Sequence, residues 1–232
     1  MHIFFTRLAL LADHVSQGYR CRSPEQVRKY VNLWHDASSK FYIHQTIKTR
    51  FRVVLLYNPI YEAEVRARPI PYWAEAYPGF CDAWLRQHKE LLGQKVFLTR
   101  VDADDSYSID FMERVVALGL TEHALILHKK FKQYDLATQT LTVPMRHLSP
   151  HFATVHFPEL PAFSESTVDQ FIGVHGNHTE YYKRPHLELE GCFALERITG
   201  YNVINRPIKS SGHGKAVVVG EANDPRFVGY GP

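Results

Sequence analysis

The sequence predicts an α/β fold, and three observations carry that expectation. Residues 2–57 read as strand, helix, strand; a further helix at 80–92 feeds a strongly apolar run at 95–101; and that run ends in three carboxylates, Asp102, Asp104 and Asp105. Strand, helix, strand in that order implies a parallel pair joined by a right-handed crossover. Carboxylates at the carboxyl end of a strand stand where open α/β sheets gather their ligands.

Taken in order, residues 2–10 read as the first strand, with Arg7 interrupting its apolar run, and 13–22 as a polar loop. Ser23-Pro24-Glu25-Gln26 is a helix start, Ser at the cap and Pro in the first turn. Val27, Tyr30, Val31 and Trp34 then recur at helical spacing as a core face. Residues 51–57 form the second strand, stopped by Asn58-Pro59. Residues 66–80, rich in Pro and aromatics, read as a loop whose rings mostly cover the core. The helix at 80–92 stops at Gly93, and Val96, Phe97, Leu98 and Val101 mark a buried strand. Beyond the acidic cluster, Asp105 or Ser106 is expected to cap a helix at about 108–118, followed by a strand at 124–127 and a hairpin of 129–134 with 140–143. Residues 144–184 look irregular, 187–198 a helix opening near Pro185 and closed by Gly200, and 201–205 a last strand.

At 232 residues, with 45% hydrophobic and 22% charged content, the chain can bury a full core as one large domain or two small ones. The formal charge of +3 and the 14 histidines make it mildly basic, but Lys and Arg are scattered, so an anionic ligand is accommodated and a nucleic acid is not indicated. Cys21, Cys81 and Cys192 are an odd set without a CxxC spacing, which argues against a disulfide framework and for a reducing compartment. The apolar run at 3–12 is interrupted by Arg7 and lacks a small-residue cleavage site, and no run of about 18 apolar residues occurs. The expectation is a cytoplasmic protein.

Three carboxylates within four residues repel one another unless a cation or hydrogen-bond donors hold them. Oxygen ligands of this kind suit a hard divalent ion, Mg²⁺ or Mn²⁺, bridging to a diphosphate. A helix cap accounts for one carboxylate and leaves the others. Asp102, Asp104, Ser106, Asp110 and Glu113 also fall at positions one, three, five, nine and twelve of a calcium loop, but Tyr107 occupies the sixth, where that loop needs Gly. The later histidines, at 147, 151, 156, 175 and 178, show no HxxxH or HxH pair, which argues against zinc.

With these elements in order, the chain resembles nucleotide-sugar-dependent glycosyltransferases of the GT-A fold, in particular a bacterial rhamnosyltransferase-type group. Phe5-Thr6-Arg7 resembles that group's first-strand signature, and His44-Gln45-Thr46 its Gln-Thr segment before the second strand. Thr99-Arg-Val-Asp-Ala-Asp-Asp105, with Asp110-Phe111 after it, resembles the metal-binding Asp-x-Asp motif. Gly200-Tyr-Asn-Val-Ile-Asn-Arg206 is similar to the closing strand.

The resemblance implies a single GT-A, Rossmann-like domain over residues 1–232, with a mixed, mainly parallel central sheet flanked by helices. Residues 1–110 would be the nucleotide-sugar half and 111–232 the acceptor half. It implies Mn²⁺ or Mg²⁺ on Asp104 and Asp105, with His213 completing the shell; Asp102 on the ribose or ordering the loop; Arg7 and Asn58 along the nucleoside; and Arg100 at the diphosphate or in a structural ion pair. Glu190 or Glu188 would be the base that deprotonates the acceptor, with Asp169 a weaker candidate, although both Glu side chains are equally ordinary as first-turn acids. The implied activity is transfer of a sugar, rhamnose by the family's label, from a nucleoside-diphosphate sugar to a glycan or lipid-linked acceptor, with inversion. Such acceptors are compatible with loose attachment to a membrane surface. The alternatives are a metal-dependent phosphohydrolase using the same carboxylates on water, and a calcium- or carbohydrate-binding module without catalysis.

Overall fold

A computed structural model of the chain describes residues 1–9, 23–47, 50–137, 139–142, 145–146, 152–175, 178–181, 183–198, 218–219 and 224–228. Among them, β1 (His2–Ala9), β2 (Phe51–Tyr57), β3 (Ala74–Pro78) and β4 (Val96–Asp102) are followed by the short β5 (Ser106–Tyr107) and by β6 (Ala124–Leu127). The meander β7 (Lys130–Asp135), β8 (Thr140–Thr142) and β9 (Met145–Arg146) precedes β10 (Ala153–Phe157), β11 (Leu187–Glu188), β12 (Ala194–Ile198) and β13 (Val218–Val219). The helices are α1 (Pro24–Leu33), α2 (Lys40–Ile43), α3 (Glu62–Val65), α4 (Cys81–Gln87), α5 (Phe111–Ala117), α6 (Ile172–His175) and α7 (His178–Tyr181).

The strands build two sheets. The larger runs β11-β6-β10-β4-β1-β2-β3, and the smaller runs β13-β8-β7-β12-β5 with β9 on β7. In the larger sheet β1 to β4 pair in parallel, β11 pairs in parallel with β6, and β10 alone runs antiparallel to both its neighbours. The protein is thus a mixed α/β fold with a mainly parallel central sheet flanked by helices.

Strand alternation divides the core between the two faces of that sheet. Phe4, Leu8, Val53, Leu55, Phe97 and Val101 pack with residues of α1, α2 and α5. Ile3, Phe5, Val54, Leu56, Val96 and Leu98 pack with residues of α4, α6 and α7. Helix α1 starts as its sequence predicts: Ser23 accepts from the Gln26 amide while Gln26 reaches back to the Ser23 amide, and Pro24 opens the first turn. Helix α6 lies so close to the sheet that a Cβ on Gly173 would stand 2.5 Å from the Val155 side chain.

Five expectations are corrected. The aromatic, Pro-rich stretch contains β3, an edge strand without a fully buried position, which tolerates Pro78 as its last residue. The helix expected at about 108–118 with Asp105 or Ser106 as its cap starts after Asp110, because Ser106 and Tyr107 are committed to pairing with β12. The stretch 144–184 supplies β10, every residue of which is buried, so it lacks the alternation that marks a half-exposed strand. Residues 187–198 are two strands, not a helix. Gly191 between them has φ +102°, and a Cβ there would stand 2.6 Å from the Phe193 ring. The helix at 80–92 is shorter than expected, α4 being followed by one tight turn at Lys89–Leu91 before Gly93. The last expected strand, 201–205, lies outside the described residues. Among the described residues, no helix is long and apolar enough to cross a membrane.

A polar chain crosses the middle of the large sheet on the α5 side. His2 Nε2 meets Thr99 Oγ1 at 2.6 Å, Thr99 Oγ1 meets Thr154 Oγ1 at 2.7 Å, and Thr154 Oγ1 meets His128 Nε2 at 3.0 Å. His2 stacks on Phe4, and His128 stands edge-on to Tyr107 and Phe111. Burial above all pushes both imidazoles down from the ordinary 6.5 to about 3. The folded protein therefore keeps both rings neutral across the interval in which the unfolded chain takes up protons, and acid favours unfolding there. We expect stability to be complete above pH 6.5 and to fall below it, by about 1.4 kcal/mol per pH unit for each ring. Urea midpoints between pH 7 and 4.5 measure this, and His128→Gln should remove close to half of the slope assignable to the pair.

Candidate functional site

The acidic cluster falls where the chain leaves the large sheet for the small one. Strand β4 ends at Asp102, the Asp105 amide donates to the Asp102 carbonyl at 2.9 Å to close a turn, and Ser106 enters β5. Asp104 and Asp105 are buried there, 6% and 1% exposed, whereas the Asp102 side chain is 28% exposed.

Arginines from three parts of the chain surround this turn. Arg7 is the register partner of Asp102 across β1 and β4, and its Nε and Nη2 each donate to one Asp102 oxygen at 2.6 Å. Arg100, two residues earlier on the same face of β4, holds its Nε 3.9 Å from Asp102 and donates from Nη1 to the Tyr181 hydroxyl at 2.6 Å. Arg197, on β12, is fully buried and donates to the Asp104 carbonyl at 3.1 Å, to Ser106 Oγ at 3.2 Å and to Ser38 Oγ at 3.3 Å. Burial, and then the charge of Arg100, lower the Arg7 pKa from the ordinary arginine value, with Asp102 opposing both. For Arg100, burial is outweighed by Tyr181 and Asp102, and its pKa rises.

The residues quoted from the Gln-Thr segment fasten the far side of the same turn. Gln45 Nε2 donates to the carbonyls of Phe41 and Ser108, and its Oε1 accepts from the Met112 amide at 2.9 Å. Thr46 donates from its amide to the Ile109 carbonyl at 2.8 Å and from its hydroxyl to Glu113 at 2.7 Å. This disperses the calcium-loop ligands: Asp102 faces Arg7, Ser106 faces Arg197, Asp110 accepts from Ser108, and Glu113 accepts from Thr46.

The other named residues occupy the same edge of the sheet or stand apart from it. Asn58 follows β2, and its side chain accepts from the Ile60 amide at 3.1 Å, capping the next turn. Glu188 ends β11 in one register row with Leu127, Ala153 and Arg100, so it shares their face of the sheet. Three strand spacings put its backbone about 14 Å from that of Arg100. Lys129 Nζ approaches the Glu188 carboxylate at 3.5 Å. Glu190 lies in the exposed loop before Gly191. Asp169 is exposed and paired with Arg184 at 3.0 Å. His213, like the closing motif at 200–206, lies outside the described residues. Arg197 and Tyr181 were missed by sequence reasoning, because no motif marks a residue that reaches the turn from a distant element.

Among the described residues no group of three His, Cys, Asp or Glu side chains is assembled to hold a metal ion. The donor chemistry is that of carboxylate oxygens, which suits Mg²⁺ or Mn²⁺ bound through one or two carboxylates with phosphate oxygens filling further positions.

No protein-family model matches the chain, and no curated protein does. Among solved structures it is similar to S. aureus TarS, at 12% identity over 85% of this chain and 37% of that one, with a TM-score of 0.41. It is also similar to Rv0371C of Mycobacterium tuberculosis H37Rv, solved in complex with manganese, at 12% identity over 84% and 90% of the two chains and a TM-score of 0.36. HddC from Yersinia pseudotuberculosis follows at 8% identity, 85% and 90% coverage and a TM-score of 0.36. The chain spans little more than a third of the length of TarS.

Arg197 carries the first consequence for mutagenesis. Replacing it with Met leaves the Asp104 carbonyl and two serine hydroxyls without this donor in the interior, a loss of about 1–3 kcal/mol. Replacement with Lys keeps the charge without the planar fork and is expected to recover only part of that loss. Urea midpoints at neutral pH compare the two.

Proposed function

We propose that the protein is a glycosyltransferase that moves a sugar from a nucleoside diphosphate to an acceptor hydroxyl at the carboxyl edge of the large sheet. The observation that carries this reading is the gathering of Arg7, Arg100 and Asp102 beside the acidic turn, on the face of the sheet that also bears Glu188. It rests further on the resemblance of the quoted motifs to GT-A enzymes. Rhamnose as the sugar, and a glycan or lipid-linked saccharide as the acceptor, rest on that resemblance alone.

In the proposed reaction the acceptor oxygen bonds to the anomeric carbon as the bond from that carbon to the diphosphate oxygen breaks. The bonding pair leaves with the diphosphate, and the acceptor proton passes to a carboxylate. Glu188 is better placed for this proton than Glu190, because its register row carries it to the same face as Arg100, and inversion follows if it stands opposite the leaving group. Arg7 and Arg100 offer guanidinium donors to the diphosphate, where charge develops in the transition state. Asn58 and Arg7 border the nucleoside. Asp104 and Asp105, with Asp102 at the mouth, would hold a divalent ion, which when bound supplies Lewis-acid stabilisation of the departing diphosphate.

Thermal unfolding with UDP, GDP and dTDP, with and without Mn²⁺, tests the reading on the native protein and on a variant combining Asp104→Ala with Asp105→Ala. One nucleotide is expected to raise the midpoint only when Mn²⁺ is present, by the equivalent of about 2.7 kcal/mol at a hundredfold excess over its dissociation constant. The double variant should lose the response. Stabilisation by Ca²⁺ alone, with no response to any nucleotide, would sink the transferase reading in favour of an ion-binding module.

A further inference from the structure

The buried chain from His2 to His128 admits few arrangements of its protons. Thr99 and Thr154 are register partners on β4 and β10, both fully buried. Among the described residues, each of their hydroxyl oxygens meets one imidazole Nε2 and the other hydroxyl, and nothing else. The three contacts, at 2.6, 2.7 and 3.0 Å, each need one proton between their two atoms. The two hydroxyls supply two, so a single imidazole has to supply the third from Nε2. If both rings gave a proton from Nε2, one hydroxyl proton would be buried without an acceptor. If neither did, one contact would set lone pair against lone pair. At both rings Nδ1 is buried and without a hydrogen-bonding partner among the described residues, so no contact there decides which nitrogen carries the proton.

We propose that this chain is a tautomer relay, in which one ring holds its proton on Nε2, the other on Nδ1, and the state of either ring sets that of the other. With His2 as the donor, its Nε2–H donates to Thr99, Thr99 donates to Thr154, and Thr154 donates to His128 Nε2, which leaves the His128 proton on Nδ1. With His128 as the donor, every bond reverses and the His2 proton lies on Nδ1. Reversal of one bond alone strands a proton or opens a contact, so the four groups change together. The relay crosses three strand spacings, about 14 Å of sheet. Its His128 end stands edge-on to Tyr107, whose hydroxyl donates to the Arg100 carbonyl at 3.2 Å, beside the strand that ends in the acidic turn.

Long-range proton–nitrogen NMR correlations of the imidazole rings read the tautomers directly. At neutral pH, where burial keeps both rings uncharged, the native protein should show one of the two as Nδ1–H and the other as Nε2–H. His2 is recognised by its contact with Phe4 and His128 by its contact with Tyr107. Removing one ring then dictates the state of the other. In His128→Leu, Thr154 has only Thr99 to donate to, Thr99 donates to His2 Nε2, and His2 has to hold its proton on Nδ1. In His2→Leu the same reasoning puts the His128 proton on Nδ1. The ring that is Nε2–H in the native protein should therefore switch completely to Nδ1–H when the distant ring is removed, and the other should keep its form. Matching tautomers in the native protein, or a remaining ring that stays Nε2–H in either variant, would overturn the relay. Where a variant does not fold, the native spectrum decides alone, and matching tautomers there are enough to reject it.

Discussion

Everything around the acidic turn depends on how three carboxylates are accommodated where a buried strand ends. Like charges so close would raise one another's pKa or force the turn into solvent. The fold instead brings Arg7 from the first strand, Arg100 from the same strand as Asp102, and Arg197 from the second half of the chain. Arg197 acts on the backbone: by donating to the Asp104 carbonyl and to Ser106 Oγ it fixes the step from β4 to β5, and through Ser38 it ties that step to the segment following α1. The turn is thus a junction of both sheets with the helical layer.

Two motifs that stand apart in the sequence are one device in space. Gln45 satisfies the Met112 amide at the start of α5 and two carbonyls, one from Phe41 within α2 and one from Ser108. Thr46 adds the Ile109 carbonyl and Glu113. A sequence reading sees a Gln-Thr pair near one strand and an Asp-Phe pair after another, and assigns neither a mechanism. Their pairing makes the Gln-Thr segment a clasp on the loop that follows the carboxylates.

What was legible in the sequence had local causes. The capping box at Ser23, the helical spacing of Val27 to Trp34, the β1-to-β2 crossover and the meander of β7 and β8 each follow from neighbours in the chain, and each is present. What was illegible had tertiary causes. Strand β10 is uniformly buried because it lies between β4 and β6, and His156, which read as one of several loop histidines, donates from Nδ1 to the Glu122 carbonyl from within that strand. Residues 187–198 carry enough helix formers to suggest a helix, but the left-handed turn at Gly191 divides them between two different sheets. The acidic cluster itself was visible as residues, while the arginines that define its electrostatics were scattered over about 190 positions, from Arg7 to Arg197.

The distribution of polar contacts also says where such a site can change and where it cannot. The chain from His2 through Thr99 and Thr154 to His128 links β1, β4 and β10 to the residue that follows β6 with buried hydrogen bonds, and a change in strand register would break several of these at once. Asp104 and Asp105 are enclosed, with the Asp104 carbonyl and the Asp105 amide both engaged. The Asp102 and Arg7 side chains differ from these in being more than a quarter exposed, while their backbones are held in the β1–β4 ladder and their carbonyls accept from the Asp105 and Ala103 amides.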